Sequence, residues 1–176
     1  MSICSFGTDI LFSQNLQYGS SDMKQKTCFF IGHHDAPESL APLINEAVER
    51  HITEYDVEDF VVGHYGRFDS LAARAVLEAK KRHSNIRLTL LIPYYPYDHN
   101  SDDYDGTFYP PDIERVPKRF AIVRANEYMI RTSDYLICYD RGLVGKTREY
   151  VALARQRQKM GKMQIENLYI RQIVKF

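Results

Sequence analysis

A three-layer α/β fold, with a mainly parallel sheet flanked by helices, is what this sequence predicts, and two observations carry the prediction. Short apolar runs of strand length alternate with stretches whose apolar residues recur every three to four positions, which is the pattern of βαβ units. Three of the runs end in a glycine-bearing turn that leads into a helix: CFFIGHH at 28–34, FVVGHYGRFD at 60–69 and YLICYDRGLVGKT at 135–147. In such a sheet every strand delivers its carboxyl end to one edge. The three turns and the helix N-termini behind them therefore converge on a single crevice suited to phosphate or another anion.

The elements follow in order. Residues 1–25 are rich in Ser, Gln, Asn and Gly around one weak apolar patch (Ile10, Leu11, Phe12) and read as an N-terminal extension. Met23 stands three residues before Lys26, so translation from Met23 would still give the whole of the expected single domain, 26–176. Strand 26–32 opens that domain. A helix over about 40–52 repeats Leu40, Leu43/Ile44 and Ala47/Val48, with Pro42 in its first turn and Ser39 near its cap. Strand 59–64 leads to a helix over about 69–82, with Leu71/Ala72, Ala75/Val76 and Ala79 behind Asp69 and Ser70. Strand 86–93 precedes residues 94–112, which carry five tyrosines, show neither period and read as a long loop, either a lid over the ligand or a locally packed surface loop. Helix 118–132, strand 135–139, helix 148–159 stopped by Gly161 and strand 165–170 complete a Rossmann-like arrangement.

Composition narrows the function classes. At 176 residues and 44% hydrophobic content, the chain has material for one core. Its 23 Lys+Arg balance 23 Asp+Glu, whereas a protein that binds nucleic-acid backbone needs a basic excess, so nucleic acid is disfavoured as a partner. Cys4, Cys28 and Cys138 have no metal-ligand spacing, and the last two lie within strand candidates as small hydrophobes, so no metal is expected. No apolar run reaches the roughly 18 residues of a membrane helix, and the amino terminus lacks a signal-peptide layout, so no membrane partner and a cytoplasmic location are expected. Homodimerisation is compatible with a domain of this size, although no patch in the sequence marks an interface.

Chemistry concentrates in the three turns. Gly32 follows CFFI where a missing Cβ lets a ligand approach the backbone. His33 is a ligand contact or a turn-stabilising residue; its neighbour His34 points the other way at a strand end, which argues against joint chelation. Gly63 and Gly66 bracket the second turn, and Asp69 takes the place of a helix cap or a ribose-hydroxyl acceptor. The third turn carries Gly142, Gly145, Lys146 and Thr147. Although it ends in Gly-Lys-Thr, Asp140 occupies the position where a P-loop needs its first glycine, so it is not a Walker A motif. What remains is an anion-binding turn with Thr147 as helix cap and Lys146 as a mobile charge.

Taken together, TCFFIGHHDA, GHYGRFDSLAARAVLEAKK, LIPYYP and ANEYMIRTSDYLICYD resemble the SLOG superfamily, the Rossmann-like group that includes LOG phosphoribohydrolases and DprA/Smf proteins, and within it the YpsA-like proteins. The resemblance spans nearly all of 27–161. It implies nucleotide or nucleotide-derivative contacts from Gly32, His33, Gly63, Gly66, Asp69, Pro93, Arg124, Asn126, Gly145 and Thr147, with Tyr94 as the aromatic after the proline. The chain departs from the LOG pattern Pro-Gly-Gly-x-Gly-Thr-x-x-Glu: it lacks the proline, inserts Lys146 before Thr147 and has Tyr150 at the glutamate position. Glu149 is one place early, a rotation of about 100° on a helix. The expectation is a non-catalytic module that binds a small nucleotide-like ligand and needs no cofactor of its own. The alternative is an N-glycosidic hydrolase of nucleoside monophosphates using Asp69, Asp140 or Glu149.

Overall fold

A computed structural model describes residues 25–94 and 103–174. The first strand, β1 (Lys26–Gly32), is followed by a 3-10 turn at Glu38–Leu40 and α1 (Ala41–Thr53). Next come β2 (Val57–Val62), α2 (Arg67–Lys80), β3 (Arg87–Leu91) and β4 (Gly106–Phe108). A short 3-10 turn at Ile113–Arg115 leads to α3 (Lys118–Thr132), β5 (Tyr135–Tyr139), α4 (Lys146–Lys159), β6 (Gln164–Asn167) and α5 (Leu168–Val174). All six strands are parallel, in the order β4-β3-β2-β1-β5-β6. The chain thus runs outward from β1 in one direction as far as β4, then returns to β1's other side with β5. The strand order reverses between β1 and β5, and ligands of open α/β sheets bind outside the carboxyl ends of the strands at this point.

The period-2 alternation of strand side chains builds two cores from one sheet. Cys28 and Phe30 of β1, Phe60 and Val62 of β2, Leu88 of β3 and Ile137 of β5 face α1, α2 and Leu168 of α5. Phe29 and Ile31, Val61, Leu91, Leu136 and Cys138 face α3 and α4 through Ala121, Ala125, Met129, Val151 and Ala154. Buried on both faces, β1 and β5 read as continuous apolar runs rather than alternating ones, as central parallel strands do. This three-layer arrangement is the predicted fold class.

Four local expectations differ from the structure. The stretch 94–112 is not loop throughout: β4 adds to the edge of β3, held by Asp105, whose backbone N–H donates to the Leu88 carbonyl (2.9 Å) and whose carboxylate accepts the Leu88 N–H (2.7 Å). Three residues are too few to show a period. The lid reading of that stretch falls largely on 95–102, which lie outside the described residues, as does the N-terminal extension up to residue 24. The last strand stops at Asn167, whose side-chain oxygen accepts the Tyr169 N–H (3.1 Å) and so caps α5. Ser39 lies inside the 3-10 turn, and Leu40 occupies the cap position of α1, with Pro42 in the first turn as expected. Finally, Gly145 stands at the cap of α4, and Thr147 is already its second residue. The C-terminal end of α4 follows the expectation. Gly161 is left-handed (φ 67°), and the Gly161 and Lys162 N–H groups close back onto Gln158 and Arg157, the double bond of a Schellman stop.

Candidate functional site

At the β1/β5 reversal, the carboxyl end of the sheet holds a cleft of about 120 Å³. Its floor is the end of β1, Phe30 to Gly32, with Gly63 from the end of β2 beside it. Gly66 and Asp69 come from the N-terminus of α2, Thr147 and Tyr150 from the first turn of α4, and Ile122 and Asn126 from α3. His34 and Tyr65 stand in the connecting turns. Among the residues picked from sequence, Gly32, Gly63, Gly66, Asp69, Asn126 and Thr147 are thus brought together.

Gly32 and Gly66 of this cleft are required by the protein's own packing. A Cβ on Gly32 would lie 2.2 Å from the Phe68 ring of α2, and one on Gly66 would lie 2.8 Å from the His34 backbone. The expectation that Gly32 leaves room for a ligand is corrected accordingly: Phe68, fully buried, fills that space. The absent side chain lets α2 seat tightly on β1, and this sets the angle at which its N-terminus meets the cleft.

The two helix N-termini at the cleft differ in what they offer. At α2, Gly66 takes the cap position, so the expected cap role of Asp69 is corrected. As the third residue of the helix, Asp69 accepts the Tyr65 N–H (2.9 Å) and a bond from the Gly66 N–H, while the Arg67 N–H donates to the His34 carbonyl (3.0 Å). Those bonds engage the Gly66 and Arg67 N–H groups, and the Asp69 carboxylate at this helix end opposes a bound anion. At α4 the cap residue Gly145 has no side chain, and the first-turn N–H groups of Lys146, Thr147 and Arg148 have no intrahelical acceptor. Thr147 Oγ1 donates to the Gly32 carbonyl (3.4 Å), which ties this helix end to β1. The anion-binding capacity of the cleft therefore lies chiefly at α4.

Asp69 is the only carboxylate lining the cleft among the described residues. Burial pushes its carboxyl up to about 6, against the opposing pull of the two backbone N–H groups that it accepts. Tyr150 of α4 lines the same cleft. Burial raises the phenol's pKa and outweighs its hydrogen bond to Asn126, so Tyr150 is a neutral donor at physiological pH. Asn126, Tyr150 and the α4 backbone N–H groups, that of Thr147 among them, form a wall of neutral donors suited to phosphate oxygens. Asp69 supplies one acceptor for a ligand hydroxyl or N–H.

The remaining picks lie around this cleft rather than in it. His33 turns toward the third turn: its Nε2 accepts the Arg141 N–H (3.4 Å), and its ring meets Tyr139 edge-on. Burial, then the Arg141 charge, lower its pKa and keep it a neutral acceptor. Arg141 also grips Asp35 with both carboxylate oxygens (2.9 and 3.1 Å), locking the first turn to the third. Asp140 spends one oxygen on the Gly142 N–H (2.9 Å). Lys146 pairs with Glu149 at 2.5 Å on the exposed face of α4. Pro93 is buried after β3, and Tyr94 lies under Lys118, with the ammonium 4.5 Å from the ring centre. Arg124 is exposed on α3, paired with Glu127 (3.1 Å) beside a separate groove.

Helix spacing held the signal for two missed residues. Tyr150 follows Thr147 by three positions and Ile122 precedes Asn126 by four, so each shares a helix face with a residue already chosen. His34 and Tyr65 had no such signal, because turn geometry decides where they point.

The fold defines an open, doubly wound α/β protein, and its candidate cleft lies at the topological switch point. The sequence matches no family model and no curated protein. Among solved structures, the chain is similar to the molybdenum cofactor binding protein from the phototrophic bacterium Rippkaea orientalis, at 16% identity over 86% of this chain and 83% of that one, with a TM-score of 0.54. It is also similar to the Chlamydomonas rheinhardtii Moco carrier protein, at 12% identity over 87% of this chain and 100% of that one, with a TM-score of 0.49. The likeness to the Rippkaea protein is one of fold.

Proposed function

We propose that this chain is a non-catalytic carrier or sensor of a phosphate-bearing, nucleotide-like small molecule, a binding module of the SLOG type. The observation that carries the reading is the donor wall at the β1/β5 reversal, formed by the open N-terminus of α4, the Thr147 N–H included, with Tyr150 and Asn126. Phosphate is held there by backbone N–H groups and neutral side chains, and Asp69 orients the rest of the ligand through a hydroxyl or N–H. Cleavage of a glycosidic bond calls for a carboxylate at the sugar carbon and a second polar group to activate water. Glu149 is engaged by Lys146 on the exposed side of its helix, and Asp140 by its own turn. At the position where the LOG resemblance implies glutamate stands the phenol of Tyr150. A protein that shares this fold binds a cofactor, the molybdenum cofactor, and this favours a carrier.

The test is a thermal-shift panel of nucleoside monophosphates, with chromatography of the recovered nucleotide. Stabilisation by at least one nucleotide and its recovery intact are expected; release of free base at a useful rate overturns the non-catalytic reading. One observation favours the second reading, an N-glycosidic hydrolase. A carboxyl near 6 is poised for general acid or base work. Base release abolished by Asp69→Asn would establish that reading.

A further inference from the structure

The turn between β5 and α4 carries two apolar side chains that the protein's core does not use. Leu143 is 54% and Val144 94% exposed, at the tip of a turn that enters the helix end of the candidate cleft. Val144 stands almost wholly and Leu143 about half in water, which is unfavourable for both apolar side chains. Glycines flank the pair. Gly142 (φ 78°) and Gly145 (φ 149°) adopt conformations that L side chains rarely take, and a Cβ on either would meet nothing within 4 Å. Packing therefore does not explain these glycines, in contrast to Gly32 and Gly66; backbone freedom does. The tip lies within two Cα steps, roughly 7 Å, of either glycine, and Thr147 of the cleft wall is three residues beyond Val144. Behind the turn the frame is fixed, by Arg141 on Asp35 and His33 and by Asp140 on Asn167 through paired backbone and side-chain bonds (3.2 and 3.0 Å).

We infer that Leu143 and Val144 form a glycine-hinged apolar flap that folds onto the non-phosphate part of the ligand, and so selects phosphate-bearing ligands that also carry a planar or apolar group. This inference rests on the phosphate-binding reading of the cleft. The wall of neutral donors at α4 grips the anion, whereas the flap discriminates among the organic groups attached to it. A ligand of this kind covers the two side chains that water otherwise surrounds.

The experiment compares AMP, FMN and inorganic phosphate on the wild type and on a Leu143→Ser/Val144→Ser variant, using calorimetric titration. AMP or FMN should bind the variant at least about tenfold more weakly, the equivalent of about 1.4 kcal/mol of lost apolar contact, and inorganic phosphate should bind both proteins within about twofold. The chain has no tryptophan, so Val144→Trp supplies a single reporter whose emission should shift to the blue on adding the organic ligand and stay put with phosphate. Equal affinity of both proteins for AMP and FMN, with the indole emission of the Val144→Trp variant unmoved, overturns the flap and leaves the phosphate site standing; the exposed tip would then be a contact for a protein partner. Failure of all three compounds to bind the wild type overturns the phosphate-binding reading, and the flap falls with it.

Discussion

Replacing Asp69 with asparagine should stabilise this protein at neutral pH, although it removes a charge that two backbone N–H groups solvate. Burial carries the Asp69 carboxyl from 3.8 to about 6 in the folded state. The shift makes folding with a charged Asp69 worse by about 3 kcal/mol at neutral pH than folding with the neutral acid. The sign follows from proton counting. Between the two pKa values the folded chain holds a proton that the unfolded chain has lost, so this group's contribution to stability falls as pH rises from about 4 to 6 and stays low above. An amide at position 69 does not titrate and keeps one oxygen for the N–H groups of Tyr65 and Gly66. Urea unfolding of wild type and Asp69→Asn at pH 4 and pH 7.5 isolates the effect, because pH-independent consequences of the substitution cancel in the comparison. The stability of the variant relative to wild type should rise by about 2–3 kcal/mol between pH 4 and pH 7.5. Parallel pH profiles for the two proteins would refute the burial argument.

Further consequences can be tested independently. Gly32→Ala forces a methyl into the Phe68 ring and should cost about 1–3 kcal/mol in urea unfolding; a change below about 0.5 kcal/mol would contradict the close packing of α2 on β1. His51 is buried on α1, with its Nδ1 bonded to the Ala47 carbonyl at 2.7 Å, and burial lowers its pKa. Since the unfolded chain takes up this proton first, its contribution to stability should be lost as pH falls below about 6.5, and its NMR signals in the folded protein should titrate at lower pH than those of histidine in the urea-unfolded chain. Arg141→Met should let the Asp35 carboxyl rise from its lowered value, readable by carbon NMR, because the guanidinium hydrogen bond is the first cause of that lowering. Burial raises the thiols of Cys28 and Cys138. In a Cys4→Ser background a thiol reagent should therefore label the native protein slowly and the urea-unfolded protein fast.

The layer order was legible because apolar period and glycine punctuation agree along most of the chain. β1, β5, α1 and α3 fall where their patterns place them. β4 escaped because it has three residues and draws its order from Asp105 on β3, a contact between positions 17 apart. α5 escaped because Ile165, Leu168 and Ile170 look like one more strand until Asn167 turns the chain. In the cleft, Thr147 was marked by the glycine turn before it and Asn126 by the family resemblance, and helix spacing from these two would have added Tyr150 and Ile122. Residues whose direction depends on turn geometry were not readable: His33 and His34 differ by one position, and it is His34 that lines the cleft. The glycines carried the right location for a different reason, since at Gly32 and Gly66 the missing Cβ admits the protein's own Phe68 and His34.

A proton and phosphorus NMR titration of AMP with stoichiometric wild-type protein tests the central claim most directly, because it reports binding and bond cleavage in one sample. The account predicts that the phosphorus line moves and saturates, that it moves less with Tyr150→Phe, and that the ribose and adenine signals remain those of intact AMP over days. A phosphorus line that does not respond to the protein, or free adenine accumulating beside ribose phosphate, would contradict it.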